Sequence, residues 1–537
     1  MSSDDRKLET MDEKSSVHGS VDKSGGVVTE TQANAEYLNA IASAPLDAWS
    51  RSSIALYGFV IVCALNATMS GYDGAIFSTI NAMPAYKSFF NMTETGASTG
   101  IIFAIYPIGQ MVGAFFAGLI ADWLGRRAGL FAGAAFVMFG TIWTTSAQSL
   151  AYIFAGRFFL GFGISISTAA APTLAVELSP PQWRGVIVGY YNSFFYTGSV
   201  LAAGVTYACN KNGTEFAWRF PLGLQMLAPL IIVLCSLFIP ESPRWLMLNG
   251  KKEKAVEFLT KYHGGGDPNH PLVLLEIREI EESVADKSPL PWWDYRPLFN
   301  SHEARWRMAM NLFMGLSAQM SGNSVLTYFL PTMYSNLGIK STDRRLLLTM
   351  ANNIVGATGA VAGSWTNDRV GRRTKLWIGS LVLCLLLSAV TGFSSMFNNP
   401  KSPVSSAYSN AGVAFIFLFG CAYAFVYTPL TATYSVEVQD NVTRAKAYGV
   451  KIVFNGAYNF FNTYVTSIAL KEISFYYYII FIGLDAIYTA IWFFFGVETL
   501  GRTLEELQEV FQDPFPPAAA LRKRTVVQKA DGHVEEV

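Results

Sequence analysis

Twelve runs of predominantly apolar residues punctuate this chain, each about the 20 residues that an α-helix needs to cross the hydrocarbon core of a bilayer. They lie at roughly 54–77, 98–121, 128–147, 151–174, 185–208, 219–239, 306–335, 346–366, 375–395, 411–433, 446–468 and 474–496. Lipid offers the backbone no hydrogen-bond partners, so runs of this kind in such number fold as helices that satisfy themselves. An all-α membrane protein with twelve transmembrane helices is therefore expected. Composition agrees: 51% of residues are hydrophobic, only 15% are charged, and the mean hydropathy is +0.29. Lysine plus arginine balance aspartate plus glutamate at 39 each, so net charge argues for no nucleic-acid partner. The five cysteines show neither a disulfide framework nor metal-ligand spacing.

Charge in the short connections sets orientation. Basic "ADWLGRRAG", "SPPQWRG", "NDRVGRRTK" and "DNVTRAKA" follow spans two, four, eight and ten, which predicts both termini in the cytosol. The sequons at Asn91 and Asn212 then fall on the outer face, where glycosylation could reach them. Residues 1–50 are polar with no apolar core, so they read as a disordered cytosolic tail and not a cleaved signal. A six-span half over 51–240 is followed by a polar helical linker over 241–303, a second six-span half over 304–497 and a cytosolic helix and tail over 498–537.

The halves repeat each other. "DWLGRR" at Asp122 recurs 246 residues later as "DRVGRR" at Asp368. Glu177, seven residues before Arg184, recurs 260 residues later as Glu437, seven before Arg444. "PESPRWL" from Pro240 is echoed by "VETLGRTLEE" from Val497. Three features in one order at nearly one offset mark a duplicated unit, and duplicated six-helix halves around a midplane site are a transporter architecture.

One carboxylate stands out within the spans. Asp73, in "GYDGAIFS", lies in span one, where an ionised side chain is costly and marks function or a buried ion pair. Arg157 is the only cation inside span four and is its expected partner. Two readings stand: a proton-coupling pair, or a static pair that aligns spans one and four. All five histidines lie outside the predicted spans and do not compete for a proton-carrying role. Asp485 in span twelve is a second intramembrane acid, read either as a hydrogen-bonded structural acid or as a second protonation site.

Through "GYDGAIFS", "ADWLGRR", "GRFFLGFG", "ELSPPQWRG", "PESPRWL", "NDRVGRR", "EVQDNVTRAKA" and "VETLGRTLEEL", the chain resembles the sugar porter family of the major facilitator superfamily. Within it, "QMSGNSVLTYFLP" and "YYNSFFYTGS" resemble most the fungal branch that includes lactose and cellobiose permeases. The resemblance implies the major facilitator fold, with two pseudo-symmetric six-helix halves, cytoplasmic helices between and after them, and alternating-access transport of a sugar. It also implies that Asp73 and Arg157 form the proton-coupling pair. Asp122, Arg126, Glu177 and Arg184, with Asp368, Arg372, Glu437 and Arg444, would form ion pairs across the halves that close the inner gate when the outside is open. The plain alternative for the arginines is positive-inside topology, which does not explain the paired carboxylates.

Amides suit sugar hydroxyls because one side chain both donates and accepts. Asn192, Gln319, Asn323, Ser324, Tyr328, Asn352, Asn353, Asn455 and Asn459 lie within the spans, either for substrate or for hydrogen bonds between helices. The resemblance aligns Asn192, Gln319, Asn455 and Asn459 with sugar-contacting positions. The chain also departs from the hexose pattern. Ala318 precedes Gln319 in place of a second glutamine, and Asn323 sits one residue early with Ser324 behind it. Ser70, Tyr427 and Gly456 stand where the family has Phe, Trp and Trp. The lost ring volume predicts a wider pocket and a disaccharide such as lactose or cellobiose. If Tyr190, Tyr191, Phe194 and Phe195 refill the space, the substrate is a monosaccharide. The expectation is thus a monomeric proton:sugar symporter of the plasma membrane, not an enzyme. Its partners are lipid and a small sugar, and it has no cofactor beyond the coupling proton and no metal. A sugar receptor on the same fold and an efflux antiporter are the competing classes.

Overall fold

The computed structural model describes residues 47, 49–181, 183, 187, 190–285, 294–367, 369–398, 406–440, 443–500, 502, 504–522, 526–528 and 534–536. The predicted N-terminal tail falls almost wholly outside these residues, as do Arg184 and Asp368. The first half contains α1 (Arg51–Asn81), α2 (Ala97–Trp123), α3 (Arg126–Thr145), α4 (Leu150–Glu177), α5 (Phe194–Cys209) and α6, in two pieces (Phe216–Leu224 and Leu227–Ser236). The second contains α7, also in two pieces (His302–Gln319 and Asn323–Asn336), then α8 (Thr342–Trp365), α9 (Arg372–Asn398), α10 (Ser406–Glu437), α11 (Arg444–Glu472) and α12 (Tyr478–Phe495).

Among the described residues, nine of these helices are long and apolar enough to span a membrane unaided. The other three, α5, α7 and α11, carry most of the predicted sugar-binding side chains. For α5 the described part is only 16 residues. A break interrupts α7, and α11 is diluted by Lys451, Asn455, Asn459 and Asn462. Polar content that weakens a span's apolarity is what a substrate-lining helix must have.

The same neighbours recur in both halves: α1 packs on α5 as α7 does on α11, α2 on α4 as α8 on α10, and α3 on α4 as α9 on α10. Small residues permit this approach. A methyl added at Gly71 of α1 would come within 1.8 Å of the Phe195 carbonyl, and one at Gly359 of α8 within 2.5 Å of the Cys421 carbonyl. Between the halves, α2 packs on α11 and α5 on α8, contacts that the duplication exchanges with each other.

Helices Pro243–Leu248, Lys252–Tyr262 and Pro271–Ala285 form a layer at the predicted inner end. Phe258, Leu259 and Val273 join the core of the first half. Buried His263 ties the layer down, its Nδ1 2.5 Å from Glu276 and its Nε2 3.0 Å from the Leu178 carbonyl at the end of α4. After α12, helix Leu504–Gln512 precedes a short antiparallel ribbon, Val526–Gln528 with Val534–Glu536.

Candidate transport site

Asp73 of α1 and Arg157 of α4 meet in the first half, both essentially unexposed. Arg157 Nη1 is 3.6 Å from Asp73 Oδ1, too long for a hydrogen bond, so charge alone joins them. The guanidinium is held from other sides. Its Nε donates to the Ile102 carbonyl at 3.2 Å, and the rings of Phe77 and Tyr106 lie 4.3 and 4.6 Å from it. The donor that Asp73 does have was not foreseen from sequence: Gln225 Nε2 gives a hydrogen bond to Oδ1 at 2.8 Å. Gln225 sits between the two pieces of α6, four residues after Pro221, and an amide in an otherwise apolar span is the available signal. Asp73 Oδ2 has no donor among the described residues, and Tyr106 faces the same carboxyl.

The second half supplies the amides. At the α7 break Gly322 has φ +82°, a left-handed conformation that glycine adopts without a steric penalty. The freed carbonyls are taken up by neighbours. Asn462 and Ser324 donate to the Gln319 carbonyl at 2.8 and 3.3 Å, and Tyr423 donates to that of Ala318 at 2.9 Å. Broken helices whose backbone is satisfied in this way are a recurring device of transporter sites. Around the break, Asn459 donates to the Tyr328 hydroxyl at 3.5 Å, and Asn323 lies beside Tyr423. Asn455 packs on Gly315 of α7. Asn455 Oδ1, Asn459 Oδ1 and Asn352 Oδ1 are buried acceptors with no donor among the described residues.

Two of the predicted amides bridge the halves. Asn192 reaches the Thr428 carbonyl at 3.5 Å, and Asn353 donates to the Ser199 carbonyl at 3.1 Å. Two of the positions behind the wider-pocket expectation are already occupied. Tyr427 is fully buried, bonded to Ser380 at 3.0 Å and stacked on Tyr423. At Gly456 the direction a side chain would take is filled by Met111 of α2, whose Cγ lies 2.3 Å from the virtual Cβ. The volume freed by glycine is therefore taken by a thioether in this state. Ser70 turns back to the Asn66 carbonyl.

The two ends of the bundle differ. At the predicted outer end the halves are clamped together. Arg345 Nη1 contacts both oxygens of Glu94 at 2.9 and 3.1 Å, and Lys87 adds a contact at 2.7 Å. Gly96 and Ser467 exchange hydrogen bonds of 2.9–3.1 Å, Asn210 donates to Asp343, and Phe103 packs on Tyr328 and Phe329.

At the inner end the described members of the predicted gate pair within their own halves. Arg126 lies 3.4 Å from Glu177 and 3.3 Å from Asp122, and Arg372 lies 3.0 Å from Glu437. Arg444 donates to the Gln439 carbonyl. Cross-half pairing was expected for an outside-open state, whereas here it is the outside that is sealed. The repeated "PES" and "VET" glutamates have a shared task that sequence did not reveal. Glu241 accepts from the Arg127 amide at the start of α3, and Glu498 from the Arg372 and Arg373 amides at the start of α9. Burial pushes the Glu241 carboxyl above its ordinary range, and its amide donors hold part of that rise back.

Two duplicated six-helix halves, closed at one end around a broken helix lined with amides and beside a buried carboxylate, define a membrane carrier. The chain belongs to the sugar (and other) transporter family, whose model matches residues 59–511. It is thus a multi-pass membrane transporter and not an enzyme. It is 28% identical over 479 residues to the high-affinity glucose transporter of Kluyveromyces lactis, covering 86% of each chain. It is also 27% identical to the MFS-type transporter criB of Aspergillus cristatus, over 84% of this chain and 92% of that one. The fold matches the E. coli xylose transporter XylE in a partially occluded inward-open conformation, with a TM-score of 0.69 and 20% identity over 83% of this chain and 99% of that one.

Proposed function

We propose that this protein imports a sugar together with a proton by alternating access, across a plasma membrane with both termini cytosolic. The observation that carries the proton part is Asp73: fully buried, balanced by an arginine that does not hydrogen-bond to it, and with one oxygen that meets no donor among the described residues. Arg157 lowers the cost of the ionised form, and a proton taken up on Oδ2 removes the charge before the carrier turns. The donor-less oxygens of Asn455, Asn459 and Asn352 suit a polyhydroxylated substrate, because each calls for an incoming O–H. Gln319, Asn323, Ser324, Tyr328 and Asn192 complete the wall, with Tyr427 behind Tyr423. Glucose transport by the Kluyveromyces relative and xylose transport by XylE favour a sugar.

Labelled-sugar uptake by a transport-deficient cell, with external pH recorded, tests this reading. Sugar-dependent alkalinisation should vanish in Asp73→Asn, and undiminished accumulation in that variant would refute coupling. Substrate size has two readings. A disaccharide requires Met111 to swing out of the Gly456 space, which an unbranched thioether can do. A monosaccharide is favoured by Met111 as it stands. Met111→Ala should raise uptake of lactose or cellobiose relative to glucose by several-fold if the first reading holds, and an unchanged ratio supports the second.

A further inference from the structure

The second half holds a carboxyl that the proposed proton step leaves unused. Asp485 of α12 is fully buried, and neither of its side-chain oxygens meets a hydrogen-bond donor among the described residues. The titratable groups facing it are the Cys384 thiol of α9, the Tyr427 hydroxyl of α10 and, on its own helix, the Tyr488 hydroxyl, with Tyr458 of α11 beyond. No lysine, arginine or histidine of the described residues lies within ion-pair distance of it.

Comparison with Asp73 sharpens the point. Both carboxyls are fully buried in the same sealed-outside state. Asp73 has Arg157, Gln225 and Tyr106 around it, so its charge is supported. Among the described residues Asp485 has no cation and no donor, and an isolated carboxylate in such surroundings is relieved only by taking a proton. It is not remote from the substrate site. Tyr427 stacks on Tyr423 with ring centroids 5.2 Å apart, and Tyr423 donates to the Ala318 carbonyl at the α7 break. Rearrangement of the broken helix on substrate release would be felt through Tyr423 by Tyr427, whose hydroxyl is near enough to Asp485 for their charges to interact.

We propose that Asp485 is a second proton-binding site of the transport cycle, so that each sugar moves with two protons, one on Asp73 and one on Asp485. Loading converts the Asp485 carboxylate to the acid on the outward-facing side, and unloading returns the proton inside. Only an O–H bond forms and breaks. The inference rests on the proton-coupled reading above.

The test is the proton:sugar ratio, from initial rates of alkalinisation and of labelled-glucose uptake by the full chain in cells. The expected wild-type ratio is two, falling twofold in Asp485→Asn. Because asparagine keeps the shape, a permanently neutral structural acid would leave the ratio unchanged in that variant, and this result overturns the proposal. A wild-type ratio of one, brought to zero by Asp73→Asn, also overturns it, even if Asp485→Asn fails to reach the membrane. A wild-type ratio of zero instead defeats the coupled reading itself.

Discussion

The Glu94–Arg345 clamp makes a quantitative prediction about the balance between the sealed-outside state and the open one. Both side chains are largely buried, 18% and 7% exposed, and Arg345 grips both carboxylate oxygens. A surface pair contributes up to about 1 kcal/mol, whereas breaking a fully buried pair costs about 3–5 kcal/mol. Glu94 keeps some contact with water, and Arg345 retains bonds to the Pro331 carbonyl and to Thr342, so a value near 1–2 kcal/mol applies to Glu94→Gln. If the clamp exists only with the outside sealed, that loss raises the outward-open population by roughly 5–30-fold. Ser324, only 4% exposed and beside the α7 break, is a suitable reporter. In a Ser324→Cys chain with its five native cysteines replaced, a membrane-impermeant thiol reagent applied outside should label the site faster by that factor when Glu94→Gln is added. High salt should shrink the difference. An unchanged or slower labelling rate would refute the reasoning, since it would mean that the pair persists after opening or that the outside is held shut by the other contacts alone.

Gln225→Leu removes the amide hydrogen bond that Asp73 accepts. Coupled accumulation should fall several-fold while sugar exchange without a gradient persists, which parallel uptake and counterflow measurements would separate. Gly322→Ala places a methyl in the left-handed region and 3.3 Å from Leu387, a strain of about 1–2 kcal/mol. It should lower the unfolding temperature in detergent by a few degrees and reduce uptake, and an unchanged protein would show that the α7 break is not a fixed element.

Much of the architecture was legible in the sequence because the bilayer imposes it: spans follow from apolar length, and the duplication from motifs at one offset. That Asp73 would face Arg157 could be read because span four contains a single cation. Gln225 could have been read too, as an amide in a span of nearly pure hydrocarbon, but its partner could not. Nothing in the local sequence says which neighbouring helix this face of α6 meets. The clamp was illegible for a different reason, since Glu94 and Arg345 lie 251 residues apart in unremarkable polar stretches and meet only through the approach of the halves. Gly456 illustrates a third limit. A missing side chain was read as empty space, yet close packing lets a neighbour on another helix fill it, and Met111 does.

The inner end shows why duplicated motifs need not carry equal weight. Glu437 accepts two bonds from Arg372, at 3.0 and 3.3 Å, and a third from the Thr499 hydroxyl at 2.5 Å. Glu177 stands 3.4 Å from Arg126, with the facing Nε and Oε2 making no hydrogen bond. Pairs that must change partners as the halves rock should be the loosely held ones, so the first half is poised to move and the second is anchored. Glu437→Gln should then cost about 1–2 kcal/mol of stability, from the loss of charge-assisted bonds. Glu177→Gln should cost much less, yet alter the rate of transport at least as strongly. Thermal unfolding in detergent beside uptake rates would decide. Equal destabilisation by the two substitutions would mean that the gate is as symmetric in energy as it is in sequence.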